Sequence, residues 1–512
     1  MEPRSRTLLL WIPALVAFAA MLARNLLHSG TWLNAPEWTL VRLTPSWLLL
    51  HGFPIYEGTQ NDPVFGYIYG PVSAFYYLPA VLFSLPMPAL AVGVTLTFCG
   101  AFGALLLVLW CDARARSVLP ALPLALLVAS LVAFAWVDLS TIGYSLYTIG
   151  SDVPGLLLIV LATLALRRHL LTGGWLWLGA AALASALAFY ARQQGLLAVP
   201  VLGLLLILQP LGWRTRINLL VTWGLLCGGA LILLGLLFPL LVGAPMWEHM
   251  LWLPSLHPMN PETFFPSDFP FGPVVMMTLL LATFAAAWLL ADWRGGCGDD
   301  LLTAGLIWQS AWLPATIYTA TKAGAGLNHW LPFVWFWLLN VSLILQRAAA
   351  PREANVVFWK RWRGRLVIAG LVVSSLVSGW VEQRVVRTKH VDLQRWRDNT
   401  ATRLWAKWEA APGSFYAPSY PLLHLDREGV LRPFHYAVRE YQISGLPAGP
   451  RRAQWDYAPE VTRLVGSDFF QSMQPELYPN YRLVHGEPGL WVYERTGPPP
   501  DPPGLPPTET AP

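Results

Sequence analysis

Glu37, Asp152, Arg192, Lys322 and His329 are side chains suited to acid, base or phosphate chemistry, and each stands beside an apolar run. Glu37 lies in Trp32-Leu33-Asn34-Ala35-Pro36-Glu37-Trp38, where a carboxylate could take the proton of an attacking hydroxyl if burial holds its pKa near working pH. On residue type alone, a cap for the helix that follows Pro36 explains Glu37 better. Asp152 directly precedes Val153-Pro154 and reads as the N-cap of a helix. Two acids invite a dyad or metal reading, but their spacing matches no ligand motif. His249 and His257 stand among Trp247, Trp252 and Phe264, an aromatic belt more than a metal loop. The Arg192 guanidinium suits the paired hydrogen bonds a phosphate accepts, while its bland role is snorkelling to the interface. Gln193, Lys322, Asn328 and His329 carry the same two readings.

The elements that position these residues are membrane elements. Of the 512 residues 55% are hydrophobic and 12% charged, a composition that excludes a soluble globular chain. The net charge of +5 comes from short basic clusters between apolar spans, so topology explains it and a nucleic-acid partner is not expected. The four cysteines form no disulfide framework. Apolar runs near 8–27, 88–110, 118–137, 153–166, 174–191, 195–212, 217–242, 271–291, 301–320, 330–346 and 366–382 predict about eleven spanning helices, the fourth extending past Arg167. One set of loops carries Arg4, Arg6, Arg114, Arg116, Arg167, Arg168, Arg214, Arg216, Arg294, Arg347, Arg352, Lys360, Arg361, Arg363 and Arg365. The other carries Arg42, Arg192 and Lys322, with Arg24 near it. Positive residues stay inside, so the amino terminus is cytoplasmic and residues from Gln383 onward lie outside.

That count requires residues 67–87 to lie in the interface without crossing. Residues 38–51, with Leu40, Leu43, Trp47 and Leu50 at helical steps, predict a second interfacial helix. Asn34, Glu37, Asp138, Asp152, Arg192, Gln193, Glu248, His249, His257, Lys322, Asn328 and His329 then gather on the outer face. After Glu382 the composition turns hydrophilic. Residues 383–496 predict a small outer α/β domain, with Leu490-Trp491-Val492-Tyr493 as a strand and Val461 to Met473 in a helical pattern. Residues 497–512 are proline-rich and predict a disordered tail.

The order of several motifs resembles the GT-C class of membrane glycosyltransferases, the class of the protein O-mannosyltransferases and the lipid A aminoarabinose transferase (family 39-like). They are Asn34-Ala35-Pro36-Glu37, Gly52-Phe53-Pro54-Ile55-Tyr56, Tyr69-Gly70-Pro71, Ser151-Asp152-Val153-Pro154, Phe189-Tyr190-Ala191-Arg192-Gln193-Gln194 and Gly326-Leu327-Asn328-His329. The resemblance implies an α-helical polytopic membrane protein of GT-C architecture, with interfacial helices in the first outer loop and an outer C-terminal α/β extension. It also implies a polyprenyl-phosphate sugar as donor. Glu37 then stands as catalytic base with Asp152 as its partner. Arg192, Gln193, Lys322, Asn328 and His329 bind the donor phosphate, and Asn34, Tyr56 and Tyr69 complete the first-loop site. Asn34 stands where the class commonly has Asp, which leaves Glu37 as the single acid there, and Tyr-Gly-Pro replaces the usual Tyr-Pro-Pro.

The function this implies is inverting transfer of a hexose or pentose to a hydroxyl of a glycan, lipid or protein, at the outer face of the cytoplasmic membrane. No cofactor is required by these motifs. They assign no metal ligands, although members of the class leave room for a divalent metal. Two alternatives draw on the same residues: a transporter or flippase of lipid-linked sugars, and a degenerate member kept as an assembly scaffold, which the Asn34 change would suit. Mid-span ionisable groups would favour the transporter, and the charged residues here sit at helix ends instead.

Overall fold

The apolar runs become helices of unequal length, and what each packs against accounts for the difference. The computed structural model describes residues 11–20, 23, 37–56, 67–83, 87–116, 122–123, 126, 149–260, 277–285, 300–322, 327–349, 415–416, 462–466, 481–487 and 490–497. Asn34, Asp138, the expected span 366–382, nearly all of 118–137 and residues 498–512 of the proline-rich tail lie outside the described residues. In chain order the helices are α1 (Trp11–Ala20), α2 (Glu37–Leu50), α3 (Pro71–Tyr76), α4 (Leu78–Val81), α5 (Met87–Ala115), α6 (Asp152–Thr172) and α7 (Trp175–Ala191). They continue with α8 (Ala198–Ile207), α9 (Trp213–Val242), α10 (Leu253–Leu256), α11 (277–285), α12 (Leu301–Ala320) and α13 (Leu331–Ala349).

Among the described residues three helices are long and apolar enough to cross a membrane: most of α5, then α6 and α9. The chain is therefore a largely helical membrane protein, and the described residues cover only part of the expected set of about eleven spans. α6 runs past Arg167 to Thr172, as the sequence suggested, and ends on Gly173 in the left-handed conformation at φ 69°, with its N–H bonded to the His169 carbonyl at 2.7 Å. The expected span 195–212 is shorter than its apolar run. Residues Gln193–Leu197 form a 3-10 turn, α8 has 10 residues, and Pro210 follows its end.

Burial separates the centre of the bundle from its lipid face. α13 is buried nearly all round: Phe333, Trp335, Phe336, Trp337, Leu339, Leu343 and Ile344 pack with Trp308 of α12, Leu105 and Leu109 of α5, and Ile159 of α6 in one core. α9 does the opposite. Its Leu225, Ile232, Leu236 and Leu240 are all more than half exposed, a row that lipid tails would cover. α6 and α7 are antiparallel neighbours across Gly173-Gly174, and small residues of α7 (Ala181, Ala182, Ser185, Ala188) are buried in their contact region.

A second core forms around Leu43, Trp47, Tyr56, Tyr77 and Ile149. α2 packs on α3, α4 and α5, so its buried face is wider than the one-sided stripe the sequence suggested. Val41 and Leu48 join Leu43 and Trp47, Ser46 Oγ donates to the Ala74 carbonyl at 2.8 Å, and Leu50 is exposed. Residues 71–81 are two short helices broken at Tyr77, of 6 and 4 residues, neither long enough to cross. Gly70 lies against the Tyr190 carbonyl so closely that a Cβ there would overlap it.

One end of the bundle is tied by charge. Arg347 Nη2 at the end of α13 donates to Asp112 Oδ1 of α5 at 2.8 Å and to Asp300 Oδ1 at 2.5 Å. Arg116 joins Asp300 at 2.6 Å, while Asp300 caps α12 by accepting from the Thr303 N–H at 3.3 Å. The ends of α5 and α13 that carry basic residues therefore meet at the start of α12, in keeping with the alternation read from the loops.

In the C-terminal part four strands, β1 (Phe415–Tyr416), β2 (Arg463–Gly466), β3 (Tyr481–Glu487) and β4 (Leu490–Arg495), form a sheet of order β1-β2-β4-β3. β1 and β2 are parallel, and the other pairs are antiparallel with a bulge between Leu483 and His485. β4 matches the strand expected at Leu490 to Tyr493. Over Arg463–Gly466, β2 replaces the helix expected for Val461 to Met473, whose residues 467–473 lie outside the described residues: Leu464 is fully buried opposite Tyr493 while Arg463 is exposed, and pairing to β4 outweighs the local helical pattern.

Candidate active site

The end of the bundle away from the Asp112–Arg347 cluster gathers the start of α6, the ends of α7 and α12, and the start of α13. Because α6 and α7 are antiparallel, the first residue of one lies beside the last turn of the other. α7 stops at Arg192, whose backbone turns extended at φ −154° and ψ 136°, and the 3-10 turn of Gln193–Leu197 follows. Gly195 permits this turn, since a Cβ there would collide with the Ala188 carbonyl. The Arg192 side chain consequently points into the protein, where it is 4% exposed.

Asp152 meets it there. The two side chains form an ion pair and both are buried. This corrects both bland readings. Asp152 is the first helical residue after Ser151 and turns its side chain to Arg192, which is itself buried and does not snorkel. Such a pair is held by mutual compensation, because either charge alone would be costly at this depth.

Arg192 Nη2 also lies 3.0 Å from His329 Nδ1, on the 3-10 turn Leu327–Trp330 that leads into α13. Gln194 Nε2 approaches the same ring nitrogen at 3.4 Å and donates to Thr319 Oγ1 at 2.6 Å. Gln193 faces elsewhere: its Nε2 donates to the carbonyls of Ile68 at 2.6 Å and Met250 at 2.7 Å, joining the segments before α3 and before α10. Lys322 Nζ donates to the Pro254 carbonyl at 2.9 Å and sits 5.4 Å from the centre of the Tyr318 ring. Burial lowers the Arg192 pKa to about 10, with Tyr69 opposing and Arg42 adding to the fall, so the group stays cationic at neutral pH. Burial first, and then the charges of Arg192 and Arg42, hold His329 well below the usual imidazole range, so it is neutral.

These residues border a cavity of about 640 Å³. Leu196, Leu197, Val199, Pro200, Met250 and Leu251 give it apolar walls. Arg192, Gln193, Gln194 and His329 contribute one set of polar groups, and Ser255, His257 and Lys322 another. Tyr69 borders the cavity and Tyr56 does not. Tyr56 is instead a buried brace: its hydroxyl donates to the Tyr69 carbonyl, and its backbone N–H donates to Val242 at 3.1 Å. Burial, then Tyr67, raises its pKa well above the ordinary phenol value, so it remains a donor. Asp152 stands behind Arg192 and outside the cavity wall.

Three expected members have side chains outside the described residues: Glu37, which is the first residue of α2, Asn328 and Asn34. Among the described residues no three His, Cys, Asp or Glu side chains cluster in a way that could hold a metal ion.

One contributor was read from sequence only as a topological charge. Arg42 of α2 donates through Nη1 to the Ile149 carbonyl at 2.7 Å and lies 5.9 Å from the centre of the Tyr69 ring. A Cβ on Gly150 would lie 3.3 Å from Arg42 Nη1 and 3.5 Å from Asp152 Oδ2, so the two groups flank that glycine. Among the described residues, two arginines thus surround one carboxylate and a neutral imidazole, and these four groups together carry a net positive charge. Its signal in the sequence was an arginine inside an otherwise apolar interfacial helix.

No protein-family profile and no curated protein sequence matches the chain. Among solved structures it is similar to the crystal structure of ArnT from Cupriavidus metallidurans bound to undecaprenyl phosphate. The identity is 14%, the match covers 94% of this chain and 97% of that one, and the TM-score is 0.47.

Proposed function

We propose that this chain is a GT-C glycosyltransferase that moves a sugar from a polyprenyl-phosphate carrier to an acceptor hydroxyl at the outer membrane face. The observation that carries this reading is the cavity of about 640 Å³, whose apolar walls meet the buried Arg192–His329 group. An apolar slot bordered by surplus positive charge suits an amphiphile with an anionic head. The order of motifs from Asn34 to His329 supports the same class.

In the transfer, the acceptor oxygen attacks the anomeric carbon as the bond from that carbon to the phosphate oxygen breaks, which inverts the centre. Glu37 takes the acceptor proton. Polyprenyl phosphate leaves with the bonding pair, and Arg192 and Lys322 stabilise the charge it gains. Asp152 holds the guanidinium in place from behind and does no proton transfer. The reading is tested by mass spectrometry of lipids retained by the purified protein. A polyprenyl phosphate or its glycoside is expected. A protein that retains neither, and takes up neither when they are supplied, would not be such a transferase.

A further inference from the structure

The protonation of His329 follows from what surrounds it. A guanidinium has only donors, so His329 Nδ1, 3.0 Å from Arg192 Nη2, must present its lone pair. Gln194 agrees. Thr319 Oγ1 gives its proton to the Ala315 carbonyl at 2.9 Å and must accept from Gln194 at 2.6 Å, which makes the nearby Gln194 atom Nε2, a second donor toward Nδ1 at 3.4 Å. The ring proton is therefore on Nε2, and the ring borders the cavity. The ring is held from its own backbone as well, since the His329 carbonyl accepts from Thr316 Oγ1 at 3.2 Å.

We infer that His329 is a neutral hydrogen-bond donor that presents Nε2–H to a phosphate oxygen of the ligand in this cavity, while Arg192 supplies the charge. This rests on the reading of the cavity as a prenyl phosphate site. It divides the work of the pair: Arg192 attracts the anion, and a directional donor that carries no charge of its own orients it. The neighbouring arginines keep the imidazole from becoming a third cation, which would hold the departing phosphate too tightly to release it.

Two variants separate the ring's two nitrogens. In His329→Asn the amide oxygen sits near the Nδ1 position and still accepts from Arg192, but the Nε2 donor is gone. In His329→Gln the amide nitrogen reaches the Nε2 position, and the acceptor for Arg192 is gone. Binding of farnesyl phosphate, farnesol and inorganic phosphate to the purified full-length chain in detergent is measured by calorimetry, with unfolding temperature recorded for each variant. The wild type is expected to bind farnesyl phosphate more tightly than either of the others. His329→Asn is expected to lose roughly ten- to a hundredfold in farnesyl phosphate affinity while farnesol binding is unchanged. His329→Gln is expected to lose less. The reverse order, with Asn near wild type and Gln impaired, would make His329 only a support for Arg192 and overturn the inference. Equal binding of farnesyl phosphate and farnesol by the wild type would instead remove the anion site and the proposed function with it.

Discussion

At the scale of single residues, the account turns on how Arg192 is held. The sequence alone offered a snorkelling arginine and a capping aspartate, because each residue stood at the end of its own apolar run. Only the antiparallel packing of α6 on α7 puts them in contact. Arg192→Lys keeps a charge but gives up the forked donors that meet Asp152 and His329 together. Donor lipid affinity should fall about tenfold or more, with protein abundance little changed, measured by lipid binding to the purified variant. Unchanged affinity would remove Arg192 from the site. Asp152→Ala strands a buried cation, so it should cost about 3–5 kcal/mol in detergent unfolding. A surface role for Asp152 predicts no such loss.

At the scale of elements, the sequence was most informative where one local rule applied and least where packing intervened. α6, α9 and β4 appear near their expected bounds, since long apolar periodicity or alternation specifies them. α8 is short because Gly195 folds the preceding residues into a 3-10 turn on Ala188, and β2 replaced a helical pattern because β4 pairs with it. Both depend on partners distant from the local pattern. The same reasoning makes Gly70 a joint between α7 and the segment that precedes α3. Gly70→Ala should force that segment off Tyr190 and reduce transfer activity and thermal stability together, which assay and unfolding on one preparation would reveal. At the far end, Arg347→Ala leaves Asp112, whose side chain is 2% exposed, without its principal counter-charge. Unfolding should be easier by about 3–5 kcal/mol with donor binding retained.

For the whole molecule, charge distribution in the sequence anticipated the arrangement of the two ends. The basic loops carrying Arg116 and Arg347 meet at one end and Arg42, Arg192 and Lys322 lie toward the other, because the topological bias of lysine and arginine is a property of whole loops. What no loop count could give was the cavity, whose walls come from α8, α10, α12 and the segments between them. The central claim is that this cavity serves sugar transfer with Glu37 as the base. Its most direct test is release of polyprenyl phosphate from a radiolabelled polyprenyl-phosphate sugar, comparing wild type with Glu37→Gln, which keeps the shape of the side chain and removes its basicity. The account predicts release that requires an acceptor and falls about a hundred- to ten-thousandfold in Glu37→Gln, with donor binding preserved. Near-normal release by Glu37→Gln would contradict it and assign the proton transfer elsewhere.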